Sequence, residues 1–118
     1  KILQTLKDNN VTATFFITAH YVNTTPELVQ KMIDNGNIVG NHTVNHKSMP
    51  SLTDEQIKTE IKTLHTTIYE KFGYDLEKGF TGEFKKLTLA GLINAEGEYI
   101  ALTNKGIDLA NLVWEEFI

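Results

Sequence analysis

The sequence of 118 residues contains no cysteine, and this absence removes several kinds of chemistry at once. Without thiols the chain forms no disulfide, offers no thiolate to a metal ion and has no cysteine nucleophile. The absence of cysteine does not identify the cellular compartment. No apolar run is long enough to cross a bilayer, and residues 1–4 lack the form of a signal peptide. Because the chain opens without Met, inside a helical pattern, we expect it to be part of a larger protein.

An excess of basic residues is also missing. Residues 1–69 carry six lysines and six acids, whereas residues 70–118 carry five lysines and nine acids, and the net charge is −4. Neither half has the positive surface of a nucleic-acid binder, so we expect no nucleic-acid partner. With 41% hydrophobic and 22% charged residues, the composition is typical of a globular protein with one ordinary domain or two very small ones.

The first half alternates between helical and strand patterns. A helical pattern over residues 1–8 precedes the β-branched and aromatic run 11–18, which predicts a strand buried on both faces. Thr25 and Pro26 predict the start of a second helix, and a short apolar run at 38–40 predicts a second strand. This order favours an α/β fold with parallel strands.

A long helix and then a change of pattern follow. Thr53 and Gln56 predict a capping box, and Gly73 predicts the end of that helix. Its expected buried face consists of Ile57, Ile61, Leu64, Ile68 and Phe72. Beyond it the pattern predicts a helix over 76–92, a hairpin around 96–98 and a last helix after Thr103, which is a winged-helix-like arrangement. The last helix is expected to face a core with Ile107, Leu109, Ala110, Val113, Trp114 and Phe117.

Two histidines after the second predicted strand are the candidate site. If a turn of helix begins at His42, His46 lies on the same face one turn later, and both rings can share a metal ion. Asn41 and Thr43 are short hydrogen-bonding residues suited to holding that turn or the free ring nitrogens. Such a pair is more often a surface feature, but loops beyond the C-terminal ends of parallel strands are where functional groups collect, which favours the metal interpretation. His65 lies off the buried face of its helix and is expected to be solvated.

Residues 1–70 resemble the polysaccharide deacetylase family, also called the NodB-homology or carbohydrate esterase 4 domain. The resemblance lies in residues 13–16 (Ala-Thr-Phe-Phe), 26–29 and above all 36–46, where the family pattern is G-H-x-I-G-N-H-[ST]-x-x-H. Residues 16–22 resemble the branch that deacetylates muramic acid residues during δ-lactam formation. The resemblance implies a distorted (β/α) barrel, of which this chain has about two βα units, and removal of an N-acetyl group from an amino sugar of a glycan.

The same resemblance implies a metal site. In the family a divalent ion, usually zinc, is held by an Asp and two histidines, to which His42 and His46 correspond, with Thr43 at the Ser/Thr between them. The Asp and the catalytic base belong to a T-F-D-D-G motif that would lie upstream of residue 1, and no R-x-P-x-G segment follows the long helix. We therefore assign no catalytic residue and expect little or no catalysis from this chain alone. Family members suggest an extracytoplasmic or cell-wall location.

Residues 70–118 resemble the C-terminal domain of oxygen-independent coproporphyrinogen III oxidase-like radical-SAM proteins. The resemblance lies in residues 87–93, in 102–107 and in 111–118, which end Glu-Glu-Phe-Ile. The radical-SAM cluster needs three cysteines, so that activity is not implied. We predict a deacetylase segment over 1–72 and a helical module over 73–118, joined as a chimera, or alternatively a non-catalytic interaction module. Open sheet edges of a partial barrel predict self-association.

Overall fold

The computed structural model describes residues 1–95 and 100–117. The chain divides into two compact units, Lys1–Gly79 and Phe80–Ile118. The predicted boundary after residue 72 lies inside the first unit, where the Tyr74 hydroxyl accepts a hydrogen bond from the Val39 amide at 3.2 Å. The assignment of the two segments to separate families stays a prediction.

The first unit is an α/β structure. Its elements are α1 (Ile2–Asp8), β1 (Thr14–Ile17), α2 (Ala19–Thr24), α3 (Pro26–Asp34), β2 (Ile38–Asn41), a 3-10 turn (Met49–Ser51) and α4 (Asp54–Phe72). Strands β1 and β2 pair in parallel, with Thr14 opposite Ile38 and Ile17 opposite Asn41. The predicted order of helices and strands and their parallel pairing are confirmed, whereas the short helix α2 was not predicted.

The core of the first unit lies between the sheet and its helices. Its buried side chains are Leu3, Ile17, Val22, Val29, Met32, Val39, Leu64, Ile68 and Leu76. A side chain at Gly40 would not fit, because a Cβ there would lie 2.5 Å from the ring of Phe16 on the neighbouring strand. Glycine is therefore needed at this point of β2, one residue before the strand ends.

Asn37 joins α3 to the start of β1. It is 5% exposed, its Oδ1 accepts a hydrogen bond from the Ala13 amide at 3.0 Å, and its Nδ2 donates to the Met32 carbonyl at 3.1 Å. Both functions of the buried amide are thus satisfied, as a buried polar side chain requires. Asn37 therefore has a structural role between α3 and β1.

Helix α4 begins and ends where the sequence predicts. The Thr53 hydroxyl accepts from the Gln56 amide at 3.3 Å, the Gln56 side chain accepts from the Thr53 amide at 2.9 Å, and Gly73 ends the helix with φ of +62°. The predicted buried face is wrong at Ile61, which is 44% exposed. Glu60, only 6% exposed, takes the inward position instead.

The second unit is smaller. After a 3-10 turn at the boundary (Lys78–Phe80) come α5 (Thr81–Leu89), β3 (Ile93–Asn94), β4 (Ala101–Leu102), α6 (Asn104–Asp108) and α7 (Ala110–Glu115). β3 and β4 pair antiparallel on either side of the predicted hairpin turn, which lies outside the described residues. The helix predicted over 76–92 begins later, and the last helix is divided at Leu109. The winged-helix-like interpretation stays a prediction.

Several side chains predicted to face the core of the second unit do not. Trp114 is 57% exposed, Ile107 60% and Leu109 37%, whereas Val113 is buried. One helix ends and another begins at Leu109, so the residues before and after it do not continue a single helical stripe. The described part of the chain contains no helix with the length and hydropathy needed to span a membrane.

Candidate metal centre

His42 and His46 lie on the loop that follows β2. The His42 amide donates to the Ile17 carbonyl at 2.9 Å, which extends the parallel ladder by one residue beyond the strand. The two imidazole rings then come together, with centroids 4.5 Å apart and planes at 43°. The predicted turn of helix is wrong, because the residues from His42 to Ser48 form a loop, but this loop brings both rings to the same place.

The backbone of this loop is strained. Thr43 has φ of +67° and His46 has φ of +53°, a left-handed conformation that is costly for a β-branched residue such as Thr. Two hydrogen bonds hold it: the Asn41 Oδ1 accepts from the Thr43 amide at 2.8 Å, and the Thr43 hydroxyl accepts from the His46 amide at 3.0 Å. Asn41 and Thr43 therefore fix the backbone that carries the histidines. Backbone strain maintained in this way is a frequent property of functional sites.

Helix α4 anchors the loop. The Asn41 Nδ2 donates to the Ile61 carbonyl at 2.9 Å, and the Val44 amide donates to the Glu60 carbonyl at 3.1 Å. Both acceptors belong to the middle of a long helix, where the backbone is rigid. The positions of the two histidines are thus set by β2 on one side and by α4 on the other.

Glu60 is the residue of this site that the sequence interpretation missed. Its two carboxylate oxygens accept from the Asn45 backbone amide at 2.7 Å and from the Asn45 Nδ2 at 2.8 Å, and the Lys47 ammonium lies 3.7 Å away. The hydrogen bonds from Asn45, first the side-chain one, lower the pKa of Glu60 from its ordinary value of 4.5, with a smaller contribution from Lys47 and against the effect of burial. The available signal was its spacing, three residues after Ile57 and four before Leu64, which places a carboxylate on the inward face.

The two rings suit one divalent ion as two of its ligands. Imidazole nitrogens bind zinc at about 2.0–2.1 Å, and both side chains are exposed, so an ion can reach them from solvent. Catalytic zinc sites commonly have three protein ligands. Within residues 1–95 and 100–117, no group of three or more His, Asp or Glu side chains is placed to hold an ion, so the pair is an incomplete site. His65 lies on α4 and, among the described residues, does not join the pair in a group that could hold an ion.

A pocket of about 430 Å³ adjoins the histidine pair. We name it the edge pocket; its lining consists of Thr18, Ala19, His20, Asn23, Thr24, Val44, Asn45 and His46. Because β1 and β2 are parallel, the segments that follow them leave the same edge of the sheet and form its two walls. The pocket and the pair share His46.

Comparison with known proteins gives one consistent result. Residues 1–82 match the family model of polysaccharide deacetylase. The peptidoglycan-N-acetylmuramic acid deacetylase PdaA of Bacillus subtilis (strain 168) is 31% identical over 114 residues, which are 97% of this chain and 40% of that protein. This alignment crosses the predicted junction after residue 72.

Two solved structures agree with the sequence match. The structure of Bacillus subtilis PdaA, a family 4 carbohydrate esterase, superposes with a TM-score of 0.60 and 36% identity over 63% of this chain and 32% of that one. A family 4 carbohydrate esterase from Bacillus anthracis gives 0.61 and 37% over 62% and 35%. The chain therefore spans 40% or less of the length of these relatives, and its α/β fold is that of part of their domain.

Proposed function

The chain belongs to the polysaccharide deacetylase family, and we propose that it forms part of the metal site of an enzyme that hydrolyses the N-acetyl group of an amino sugar in a glycan. The observation that carries this proposal is the approach of the His42 and His46 rings to 4.5 Å on a loop fixed at both ends. A loop held in a strained conformation by four residues is a costly arrangement for two histidines with no role.

In this proposal His42 and His46 hold a divalent ion, most suitably zinc, through their imidazole nitrogens. When bound, the ion supplies Lewis-acid polarisation of the acetamide carbonyl and lowers the pKa of a water molecule. Asn41 and Thr43 orient the histidines through the backbone, and Glu60 holds Asn45 beside His46. No Asp or Glu among the described residues is placed to complete a metal site with the pair, so we propose that this chain alone has little or no catalytic activity.

The proposed substrate and cellular location rest on the same similarity to polysaccharide deacetylases. The relative that aligns over 97% of the chain is named as a deacetylase of N-acetylmuramic acid in peptidoglycan, which supports that sugar as the substrate of the complete enzyme. The resemblance of residues 16–22 to the δ-lactam branch supports the same choice. An extracytoplasmic location follows from a peptidoglycan substrate. Self-association through the edges of the two-stranded sheet also stays part of the proposal.

A non-catalytic interaction module is the second candidate function. It is favoured by the exposed apolar side chains of the second unit, where Trp114 is 57%, Ile107 60% and Leu112 44% exposed. Aromatic and aliphatic side chains of this kind are common at protein interfaces. The chimeric origin of this unit has less support, because one deacetylase aligns across both segments.

Zinc calorimetry on the purified chain tests the metal proposal. We expect a dissociation constant on the order of micromolar or tighter, and at least about tenfold weaker binding in the His42→Ala/His46→Ala variant, because both protein ligands are then gone. His65→Ala is the matched control, since His65 lies on α4 and forms no metal-binding group with the pair among the described residues, so its loss should leave zinc binding unchanged.

The opposite result is equally clear. If the double variant binds zinc as the unmodified chain does, the paired rings are not the ligands and the metal proposal fails. Where a variant loses zinc binding, its circular dichroism spectrum distinguishes the loss of the ligands from the loss of the fold.

A further inference from the structure

The buried carboxylate of Glu60 contacts both chain neighbours of His46. Its oxygens accept from the backbone amide and the Nδ2 of Asn45, at 2.7 and 2.8 Å, and its Oε1 lies 3.7 Å from the Lys47 ammonium. We propose that Glu60 is the positioning residue of His46, whereas His42 is positioned without it. The inference rests on the proposed function, because it concerns how the two histidines of the same metal site are held.

His42 takes its position from the sheet. Its amide donates to the Ile17 carbonyl at 2.9 Å, so it continues the ladder between β1 and β2. The preceding residue, Asn41, is the last of β2 and donates its Nδ2 to the Ile61 carbonyl of α4 at 2.9 Å. Neither hydrogen bond involves the Glu60 carboxylate, so His42 should keep its place when that carboxylate is replaced.

His46 lies at the far end of a turn that needs an anchor outside the loop. Its amide donates to the Thr43 hydroxyl at 3.0 Å. This hydrogen bond spans three residues, so it sets the shape of the turn, whereas the direction in which the far end leaves β2 depends on contacts with the rest of the protein. The Val44 amide reaches the Glu60 backbone carbonyl at 3.1 Å. The hydrogen bonds and the ion pair that the structure describes between residues 45–48 and α4 all end on the Glu60 carboxylate.

The place of Glu60 on its helix supports this role. It precedes Leu64 and Ile68 by four and eight residues, and both of those side chains are fully buried. A carboxylate on such a face costs free energy unless it is paired and hydrogen-bonded, and its partners here belong to the loop that carries the histidines. An apolar side chain would suit the core equally well but would leave both Asn45 donors without their acceptor. The loop, and not the core, therefore explains the carboxylate.

NMR and zinc calorimetry on the full chain and on its Glu60→Gln variant test the inference. Glutamine keeps the size of the side chain but replaces one acceptor oxygen with an amide donor, so one hydrogen bond from Asn45 is lost. In the metal-free chain we expect a nuclear Overhauser effect between the two imidazole rings, whose centroids lie 4.5 Å apart. Glu60→Gln should weaken this effect and shift the His46 amide resonance, while the His42 amide resonance stays in place. The zinc dissociation constant should rise about three- to tenfold, less than the loss of a group that bonds a metal ligand directly.

Two further variants keep the test decisive. Asn45→Ala changes an exposed loop residue and removes only the side-chain hydrogen bond, so it tests the same contact even if Glu60→Gln alters the fold. It should weaken zinc binding about two- to threefold, as expected for one hydrogen bond. Glu55→Gln is the control, because Glu55 lies on the same helix with an exposed ion pair to Lys58, and both readouts should stay as in the unmodified chain.

The outcomes separate this inference from the metal proposal. A purely structural Glu60 would lower the melting temperature in the variant but leave the ring contact and the zinc affinity unchanged, and that result overturns the inference. Equal changes at His42 and His46 also overturn it, because the carboxylate would then hold the whole loop. If the unmodified chain binds no zinc, the metal proposal fails, and the ring contact in the metal-free variants still decides the role of Glu60.

Discussion

The core of the first unit contains nine buried apolar side chains on and around a parallel strand pair, whereas the core of the second unit contains four described residues, Leu87, Leu92, Ile93 and Val113. The two units nevertheless use the same kinds of helix cap and of glycine at close contacts. Thr53 and Thr103 both begin a helix by accepting a backbone amide on their hydroxyl, and Gly40 and Gly106 both stand where a Cβ would collide with a neighbour.

The difference in core size between the two units shows that local sequence signals determine where helices and strands begin and end, whereas the size of the core determines how many side chains are buried. Caps and glycines set where elements begin and end in both units, because they act within a few residues of the chain. Side-chain burial depends on how much partner surface is present. The second unit has too little core to cover Trp114 and Ile107, which stay more than half exposed, as expected for the smallest units.

The largest expected effect comes from filling the space at Gly106. A Cβ there would overlap the Leu92 carbonyl oxygen, which also accepts from the Thr103 amide at 3.0 Å. Gly106→Ala should therefore destabilise the second unit by roughly 1–3 kcal/mol or more. Hydrogen exchange should show faster exchange of the Leu92 and Val113 amides, with Val39 and Leu64 in the first unit unchanged.

Gly82→Ala is the matched control for this experiment. Gly82 lies in α5 of the same unit, and a Cβ there meets nothing within 4 Å. The substitution should be neutral or stabilise the unit by about 0.5–1 kcal/mol, because Ala is the better helix former. Equal exchange rates in Gly106→Ala and the unmodified chain would show that the second unit accommodates the added methyl group without loss of stability.

A smaller effect, dependent on pH, is expected at Glu60. The hydrogen bonds from Asn45 lower its pKa below 4.5 in the folded chain, so the carboxylate adds stability above the pKa of the unfolded chain. This contribution is lost as the pH falls from about 4.5 through the lower pKa of the folded state. Glu60→Gln should lower the melting temperature at pH 7, and the difference from the unmodified chain should shrink towards pH 3.

Glu55→Gln is the control, since Glu55 lies on the same helix with an exposed ion pair to Lys58. Its substitution should change the melting temperature little at either pH, as surface ion pairs contribute little. A Glu60→Gln difference that stays constant from pH 7 to pH 3 would contradict the role assigned to the ionised carboxylate.

The sequence predicted the elements of the first unit except α2, because the capping box, the Pro26 start and the strand compositions are local signals, and it singled out the two histidines as a candidate site. It did not predict how the histidines meet. The helical spacing of His42 and His46 suggested one turn of helix, whereas the ring approach depends on positive φ values at Thr43 and His46. These are stabilised by contacts with Ile61 and Glu60, which are distant in sequence.

The smallest expected effect compares the two threonine caps directly. Thr53→Ala and Thr103→Ala each leave a helix amide without its acceptor and should cost about 1 kcal/mol. Thr103 also donates its hydroxyl to the Gly91 carbonyl at 2.7 Å, so its loss should be the larger of the two. Thr53→Ser and Thr103→Ser, which keep the hydroxyl, should recover most of the stability in chemical denaturation. If both Ala variants lose the same amount, the bond to Gly91 contributes nothing, and the second unit depends on its cap only as the first unit does.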